Sequence, residues 1–594
     1  MGPIALPGGP MEEPIVESRP WLASYPRGVP PTVSPLPAVP LHGLLEDAAR
    51  RHPGAPAISF FGRRMTYGEL AAEVERFARV LTGLGVEKGD RVGLVLPNAP
   101  QYVVAYYATL RLGAVVVGNN PLYTERELAH QLGDAGIEVC VVLDSLYPKV
   151  AAVRREARLS EVVVTKITDY MPFPLAELAP LQRRREARHE GQPWPPVPRG
   201  APVRWWRDLM RRAESLPAAP RPDIDPSRDL AGLIYTGGTT GLSKGAMLTH
   251  ENLVANVKQT AAWLTDVREA GESLMCVLPF FHSYGMTVGM NLGVGIAAKL
   301  VLLPRFDLRQ VLSALEKERP TLFPGVPRLY IAINEAPGAS SRNIHSIRAC
   351  LSGAAPLPPA VAETFHRITG ASLVEGYGLT EASPVTHANP LDGTARIGSI
   401  GLPLPDTDCR IAELDDWTKD VPPGAPGELL VSGPQVMRGY WNRPDETAAV
   451  IRTDASGRRW LLTGDVATMD PDGFFRIVDR KKDMIIVSGF NVYPTEIEQV
   501  LYRHPKVLKA CVAGVPDPKT GEAVKAYVVL RDGQTATSEE LVAFCRDPRF
   551  GLAGYRVPKL IEFRDSLPET LVGKVLRRAL TEEDRGRAAP LAEA

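Results

Sequence analysis

The run LIYTGGTTGLSKG, residues 233–245, combines residue types that suit phosphate binding. A short apolar strand leads into three glycines and several hydroxyl side chains, followed by Lys244. Glycines let the backbone approach a polyphosphate closely, and amides, hydroxyls and an ammonium group supply hydrogen-bond donors and positive charge. The run therefore predicts a site for a nucleoside triphosphate.

Two better-known nucleotide motifs do not describe the sequence. The P-loop pattern GxxxxGK[ST] fails because Ser243 precedes Lys244 and Gly245 follows it. A GxGxxA match ending at Ala298 lies inside an apolar segment, and we interpret it as close packing.

Further motifs follow in order, and with the phosphate run they resemble the adenylate-forming superfamily of acyl-CoA synthetases, luciferases and peptide-synthetase adenylation domains. Several motifs in one order, from about Trp21 to Arg578, are far more specific than one. They are PFFHSYG (279–285), LSGAAPLP (351–358), EGYGLTEASP (375–384), GELLVSGPQVMRGYW (427–441), LLTGDVATMDPDGFFRIVDRKKD (461–483) and LPETLVGKVLRR (567–578). Within the superfamily, RPWLASYP, NNPLYTERELAHQL, SGFNVYPTEIE and DYMPFP are most similar to bacterial long-chain fatty-acid CoA ligases.

The resemblance implies two reactions at one site. A carboxylate attacks the α-phosphate of ATP to give an acyl-adenylate and pyrophosphate, and the thiol of coenzyme A then displaces AMP. ATP, Mg²⁺ and the co-substrate coenzyme A are the implied cofactors.

The resemblance also assigns roles to single residues. Glu381 is the implied Mg²⁺ ligand, because Mg²⁺ between phosphates takes a carboxylate oxygen, and its neighbour Thr380 lies on the α-phosphate. The implied phosphate-binding positions are Thr236, Gly237, Gly238, Thr239, Thr240, Gly241 and Lys244.

A second group of positions belongs to the rest of the nucleotide. The aromatic face of Tyr377 and the small residues Gly353, Ala354 and Ala355 suit a slot for flat adenine. Asp465 can accept both ribose hydroxyls, and Arg480 can donate to ribose or phosphate. The remaining implied cofactor-binding positions are Glu375, Gly376, Gly378, Ile477, Lys482 and Gly489.

Lys574 is the implied catalytic cation that bridges the reacting carboxylate and the α-phosphate, which would stabilise the transition state electrostatically. The chain departs from the family pattern nearby, with Glu569 where a lysine is common, and in the phosphate loop, with Ser243 in place of a frequent proline. Neither departure removes a catalytic group, but Glu569 changes the local charge.

The acyl pocket is expected in the segment that follows His282. No Asp or Glu occurs between Phe280 and Phe306, so this segment offers no counter-charge for an α-amino group and favours an apolar carboxylic acid. Its glycines and methionines are compatible with a tunnel, although a plain buried helix explains the hydrophobicity equally well. We interpret His282 as a wall or gate rather than a general base, because a fatty carboxylate is already ionised at pH 7.

The elements that position these residues alternate between helix and strand. LHGLLEDAAR and YGELAAEVERFARVLTGLG show helical spacing, whereas RVGLVLP and CVVLD are short strand-like runs. This alternation predicts an α/β fold, and the resemblance implies a large N-terminal domain of stacked sheet subdomains flanked by helices. A small mobile α+β domain is expected at the C-terminus.

The predicted boundaries follow changes in composition. Residues 1–40 form a proline-rich arm, 41–478 the large ATP- and acyl-binding domain, 479–482 a hinge and 483–594 the small domain. Residues 171–220 interrupt the pattern as an insertion that contains Trp205 and Trp206. Its arginines could dock on an anionic membrane, but we favour tryptophans that fold back on the domain.

Composition limits the classes of partner and the cellular location that we expect for the protein. The 68 Lys and Arg balance the 68 Asp and Glu, which gives no electrostatic reason for a nucleic-acid partner. The six cysteines are widely spaced, the N-terminus does not resemble a leader, and the sequence has no long uncharged apolar stretch. Together these features predict a cytoplasmic protein. A peripheral contact with the inner face of the membrane and a homodimer are both compatible with the sequence.

The predicted function is ATP-dependent ligation of a long-chain or medium-chain fatty acid to coenzyme A. One alternative is a fatty-acyl-AMP ligase that loads a carrier protein. Another is a non-catalytic ATP- or lipid-binding sensor, against which the phosphate loop, Glu381 and Lys574 argue.

Overall fold

The computed structural model describes residues 19–178, 197–236, 243–569 and 575–588. The chain divides into two compact units. The large unit contains Pro26–Thr407 and Gly433–Arg452, and the small unit contains the described parts of Met1–Tyr25, Asp408–Ser432 and Thr453–Ala594. A division into compact units does not show whether one unit rotates relative to the other. The predicted domain boundaries and the hinge at 479–482 therefore stay predictions.

The widest sheet of the large unit carries the strand that leads into the predicted phosphate loop. Its parallel strands are rich in valine and buried on both faces, as is typical of strands covered by helices. Two antiparallel strands complete one edge. The described strands lie in the order Gly439–Tyr440, Lys244–Thr249, Leu230–Thr236, Val115–Gly118, Arg91–Val95, Val139–Leu143, Glu161–Thr165 and Val203–Trp205.

The large unit has two further four-stranded arrays, and the second of them carries the predicted nucleotide slot. Single bridges from Leu322 to Leu274 and Ala349 connect them. The first array has the order Ser273–Cys276, Lys299–Leu302, Pro56–Phe60 and Arg63–Thr66, and the second has the order Ala349–Ser352, Ser372–Gly378, Val385–Ala388 and Leu402–Pro403.

Helices of the large unit begin at the signals that the sequence offers. Thr66, Thr124 and Thr249 each accept a hydrogen bond from the backbone N–H three residues on, and each forms a reciprocal capping box. The described α-helices are Gly43–Arg51, Tyr67–Gly83, Pro100–Arg111, Glu125–Asp134, Tyr147–Val153, Trp206–Arg212, His250–Trp263, Leu292–Gly295, Leu308–Glu318, Pro327–Asn334, Pro359–Thr369 and Pro444–Val450.

The long apolar stretches of the sequence form core. Helix Pro100–Arg111 is buried along its whole length. A Cβ atom at Gly293 would lie 2.4 Å from Leu300, which confirms close packing for the GxGxxA match. Within the described ranges, no helix has the length and apolar character needed to cross a membrane.

The insertion packs its tryptophans against the large unit. Trp206 is buried and stacks on Phe77, with ring centroids 4.1 Å apart. Trp205 is half-buried, lies on the edge strand of the widest sheet and donates its indole N–H to the Pro198 carbonyl. The expectation that the tryptophans fold back on the domain is confirmed.

The small unit contains two sheets, and its helices and strands confirm the predicted α+β texture after Asp483. The first sheet contains Asp408–Ala412, Gly427–Ser432, Arg459–Met469 and Phe475–Arg480. The second has the order Phe490–Val492, Ile485–Val487, Gly521–Leu530 and Val507–Asp517, with Leu560–Phe563 paired to Gly521–Leu530, and the helices are Pro494–Tyr502, Ser538–Cys545 and Arg577–Ala588.

Sequence spacing accounts for the local order of the small unit. Ile497, Val500 and Leu501 are buried on one face of helix Pro494–Tyr502, in agreement with their helical spacing. The Thr537 hydroxyl accepts the Glu540 N–H at the start of the next helix.

All six cysteines lie in the described residues and are buried thiols. Desolvation raises the pKa of the Cys140 thiol to about 12 and that of Cys545 to about 11. These thiols are therefore protonated at neutral pH.

Candidate functional site

The two ends of the predicted phosphate loop are brought together by a β-hairpin. Thr236 ends strand Leu230–Thr236 and lies opposite Lys244, which begins the next antiparallel strand. The His130 imidazole donates Nε2–H to the Ser243 carbonyl at 3.1 Å, since a carbonyl can only accept. Residues 237–242, which carry the predicted positions Gly237, Gly238, Thr239, Thr240 and Gly241, lie outside the described residues.

The ammonium group of Lys244 contacts an aromatic ring and a carboxylate. Its Nζ lies 5.3 Å from the centroid of the Tyr440 ring, a cation–π distance. It also forms an ion pair with Glu446, whose Oε1 lies 3.7 Å from Nε of Arg443. The predicted phosphate-binding cation is thus paired with a carboxylate.

Glu381, the predicted metal ligand, lies in the 3₁₀ turn Thr380–Ala382. Its Oε1 accepts a 2.7 Å hydrogen bond from the Tyr440 hydroxyl, and its carbonyl accepts the Met437 N–H at 2.8 Å. The hydroxyls of Thr380 and Ser283 share a hydrogen bond of 3.1 Å. Tyr440 therefore touches both Lys244 and Glu381.

The residues present fit Mg²⁺. The described part of the chain has no cluster of three or more His, Cys, Asp or Glu that could hold a metal ion. Nucleotide-bound Mg²⁺ usually takes one or two carboxylates, with phosphate and water oxygens as its other ligands. Because Tyr440 donates to Oε1, the other carboxylate oxygen of Glu381 would be the one to hold a metal ion.

The predicted adenine slot lies at the ends of neighbouring parallel strands. Ser352 pairs with Glu375, so residues 353–355 and 375–378 leave or end their strands side by side. In α/β sheets, ligands bind at the carboxyl ends of strands. The half-buried Tyr377 ring makes an edge contact with His387, with centroids 5.9 Å apart, and Ala354 has a positive φ of 68°.

The glycines of this slot are required by their neighbours. A Cβ at Gly378 would lie 2.1 Å from the Pro384 carbonyl oxygen, and one at Gly376 would lie 2.7 Å from Leu351. A Cβ at Gly353 would lie 3.1 Å from the Tyr284 ring. These positions keep the two strand ends close enough to share one slot.

His282 lies on the turn that follows Pro279. Its Nδ1 accepts the Tyr284 N–H at 3.2 Å, which places the proton of the neutral ring on Nε2. Desolvation lowers the pKa of His282 below its usual value, so the ring is neutral at pH 7. A neutral ring does not distinguish a wall from a general base, so the role of His282 as a wall or gate stays a prediction.

An apolar cavity of about 40 Å³ lies beside the slot in the large unit. Its walls include Leu351, Val374 and Val385, and Val288 of the π-helical segment Gly285–Asn291 also contributes. A volume near that of one water molecule cannot hold an acyl chain. This cavity is therefore not the predicted tunnel, and the acyl pocket stays a prediction.

In the small unit, a β-hairpin joins two of the predicted nucleotide ligands. Asp465 lies opposite Arg480 in the register of strands Arg459–Met469 and Phe475–Arg480, and Arg480 Nε contacts Asp465 Oδ1 at 2.8 Å. Asp465 is 2% exposed, and Ile477 is half-buried on the same hairpin. The β-hairpin thus brings Asp465 and Arg480 together although they are fifteen residues apart in the sequence.

Two further predicted positions of the small unit, Lys482 and Gly489, are exposed. Lys482 lies in the 3₁₀ turn Lys481–Asp483, and Gly489 turns between two short strands with a positive φ of 83°. Lys574 lies outside the described residues, whereas Glu569 forms an ion pair with Lys509. The charge change at Glu569 is therefore locally compensated.

Tyr440 and Glu446 are the functional candidates that the sequence did not reveal. Tyr440 occurs in the motif GELLVSGPQVMRGYW. The motif marked the residue as important but did not show which residues it contacts. Glu446 follows in a helix whose sequence gave no functional signal. Their contacts with Lys244 and Glu381 depend on chain pairing over about 60 to 200 residues.

Known proteins resemble this chain over most of its length. The AMP-binding enzyme family matches residues 45–441, and the AMP-binding enzyme C-terminal domain matches residues 496–574. A long-chain-fatty-acid–CoA ligase of Bacillus subtilis is 45% identical over 95% of this chain and 98% of its own. A feruloyl-CoA synthase of Amycolatopsis sp. is 39% identical over 89% and 96%. The crystal structure of ATP-bound MatB from Rhodopseudomonas palustris is 29% identical and covers 92% of this chain and 99% of its own, with a TM-score of 0.78.

Proposed function

This chain belongs to the AMP-binding enzyme family, and on that premise we propose that it ligates a long-chain fatty acid to coenzyme A at the expense of ATP. Acyl-CoA, AMP and pyrophosphate are the products. The name of the Bacillus subtilis relative, 45% identical over nearly the whole chain, supports the acyl class.

The observation that carries the proposal is that the Tyr440 side chain contacts both Lys244 and Glu381. Tyr440 lies 5.3 Å below the Lys244 ammonium and donates to Glu381 at 2.7 Å. Polyphosphate transfer needs cationic donors and a carboxylate for the metal, because most of its catalysis is positioning and charge neutralisation. Bound Mg²⁺ would neutralise phosphate charge at this position.

The first reaction needs no protein base. An oxygen of the fatty carboxylate forms a bond to the α-phosphorus, and the bond from that phosphorus to the bridging oxygen of pyrophosphate breaks. Lys244 and the loop around it hold the departing phosphates, while Thr380 is assigned to the α-phosphate and Lys574 to both reacting anions. The neutral state of His282 leaves the carboxylate without a competing cation at that wall.

The second reaction transfers the acyl group to sulfur. The thiol of coenzyme A attacks the acyl carbonyl, its proton passes to solvent, and AMP leaves with the electron pair of the broken C–O bond. We assign Asp465 to the ribose hydroxyls and Gly489 to the coenzyme A side. Rotation about 479–482 between the two reactions is part of the proposal.

A screen of saturated fatty acids from short to very long chain, with ferulate as an aromatic arm, tests this function. Pyrophosphate and AMP release are followed with and without coenzyme A. We expect pyrophosphate with long-chain acids and sustained AMP release only with coenzyme A. Turnover with a carrier protein but not coenzyme A would favour the acyl-AMP ligase, and no pyrophosphate with any acid would favour the binding sensor.

Membrane contact and dimer formation are secondary proposals. Trp206 is buried, so a contact with anionic lipid would use half-buried Trp205 and its flanking arginines. Sedimentation with vesicles of anionic lipid and light scattering of the free protein test the two proposals separately.

A further inference from the structure

Tyr440 connects two charged groups that the sequence treats as separate motifs. Its hydroxyl donates to Oε1 of Glu381 at 2.7 Å, and its ring lies under the ammonium of Lys244 at 5.3 Å. The side chain is 8% exposed, so water competes little for the hydroxyl. One rigid aromatic side chain therefore sets the spacing between a cation and a carboxylate.

The backbone fixes Tyr440 on both sides. It lies opposite Ala246 in the antiparallel pairing of Gly439–Tyr440 with strand Lys244–Thr249, two residues from Lys244 itself. Its own N–H donates to the Thr447 hydroxyl at 2.8 Å, and Met437 donates its N–H to the Glu381 carbonyl. The tyrosine thus cannot shift without moving the strand that begins with Lys244.

The hydroxyl stays a donor at physiological pH. A tyrosine hydroxyl ordinarily loses its proton only near pH 10, and at 2.7 Å from an ionised carboxylate oxygen it is the donor. A protonated hydroxyl can hold one carboxylate oxygen of Glu381 and turn the other toward a ligand.

We propose that Tyr440 is a positioning residue that orients the Glu381 carboxylate for Mg²⁺ and aligns it with Lys244 for the phosphates of ATP. The inference rests on the proposed function, because it takes Glu381 and Lys244 as the nucleotide-binding pair. It goes beyond that function by naming the group that fixes their geometry. Partners of this kind typically change metal affinity or activity by about 10- to 100-fold when removed.

Tyr440→Phe removes the hydroxyl and keeps the ring beneath Lys244. The small unit offers a matched control, because the Tyr527 hydroxyl donates to the Asp584 carboxylate and the Lys525 ammonium lies 4.8 Å from the Tyr527 ring. Tyr527→Phe removes the same kind of hydrogen bond from an equally buried tyrosine that no step of the reaction uses. Thermal unfolding of both variants reports any loss of folding.

Calorimetry of the full chain measures ATP binding with excess Mg²⁺ and with EDTA. For Tyr440→Phe we expect the dissociation constant of Mg·ATP to rise about tenfold or more, while that of metal-free ATP changes less than about twofold. Tyr527→Phe should match the wild type in both titrations. Wild-type Mg·ATP affinity in Tyr440→Phe, or an equal loss with and without the metal, would overturn the inference alone.

A double-mutant cycle keeps the test independent of folding. If Tyr440 acts through Glu381, Tyr440→Phe should add little to the loss caused by Glu381→Gln. Additive losses would show a role that does not pass through the carboxylate. Absence of Mg·ATP binding by the wild type would overturn the proposed function as well.

Discussion

Glu446→Gln should strengthen the use of ATP, because Glu446 forms an ion pair with Lys244, the cation that we propose for the phosphates. The ion pair of Glu446 with Lys244 must open before that ammonium can reach a phosphate. Arg443, 3.7 Å from the other carboxylate oxygen, then offers Glu446 a second partner. If Lys244 binds phosphate as proposed, ATP has to displace the Glu446 carboxylate from it.

The exposure of the pair limits the size of the effect. The Glu446 side chain is 39% exposed, and ion pairs of that kind contribute about 0.2–1 kcal/mol. Since about 1.4 kcal/mol corresponds to a factor of ten, removing the pair should lower the KM for ATP by no more than about fivefold. The turnover number should stay constant, because Glu446 touches none of the reacting atoms.

Initial rates of pyrophosphate release over a range of ATP concentrations measure this shift. Added salt should reduce it, because the screening length is about 10 Å at 0.1 M ionic strength. Asp445→Asn is the matched control, since Asp445 is the exposed neighbour in the same helical turn. A higher KM for ATP in Glu446→Gln would mean that the carboxylate orients Lys244. An equal shift of KM in Asp445→Asn would mean that the effect comes from long-range charge rather than from the ion pair.

Three further outcomes are expected. Lys482→Pro should leave acyl-AMP formation intact and slow its discharge by coenzyme A, because proline fixes one backbone dihedral of the proposed hinge; equal discharge rates would place the hinge elsewhere. Arg577→Gln should cost about 3–5 kcal/mol in urea unfolding, because it leaves the buried Glu498 carboxylate unpaired, whereas Arg578→Gln on the exposed side of the same helix should cost less than about 1 kcal/mol. Burial lowers the pKa of His250 to about 3, so below about pH 6.5 the unfolded chain binds a proton that the folded protein does not. The free energy of unfolding should therefore fall toward pH 5 by up to about 1.4 kcal/mol per pH unit. His250→Leu should reduce that slope by about one proton, and an unchanged slope would contradict this assignment.

Local sequence signals predicted the elements that position the site. The alternation of LHGLLEDAAR, YGELAAEVERFARVLTGLG, RVGLVLP and CVVLD gives helices Gly43–Arg51 and Tyr67–Gly83 and strands Arg91–Val95 and Val139–Leu143. Each signal lies within a few residues of the element that it specifies. The overall α/β class followed from the same local order.

Contacts between distant segments were beyond that reasoning. Glu446 reaches Lys244 only because strand Gly439–Tyr440 pairs with strand Lys244–Thr249, a choice of partner that no local pattern encodes. The π-helical turn Gly285–Asn291 was also missed, because all its residues are buried and leave no periodicity to read. The sequence supplied the residues of the proposed site, whose roles stay predictions, but it did not supply the charge pairing around Lys244.

The six buried cysteines make this enzyme suitable for site-specific labelling without removal of any native residue. Maleimides react with exposed thiolates, and every native thiol is enclosed. A cysteine introduced at exposed Ser488 would become the dominant target for a fluorophore. A second one on an exposed loop of the large unit would allow energy-transfer spectroscopy to follow single molecules through the catalytic cycle.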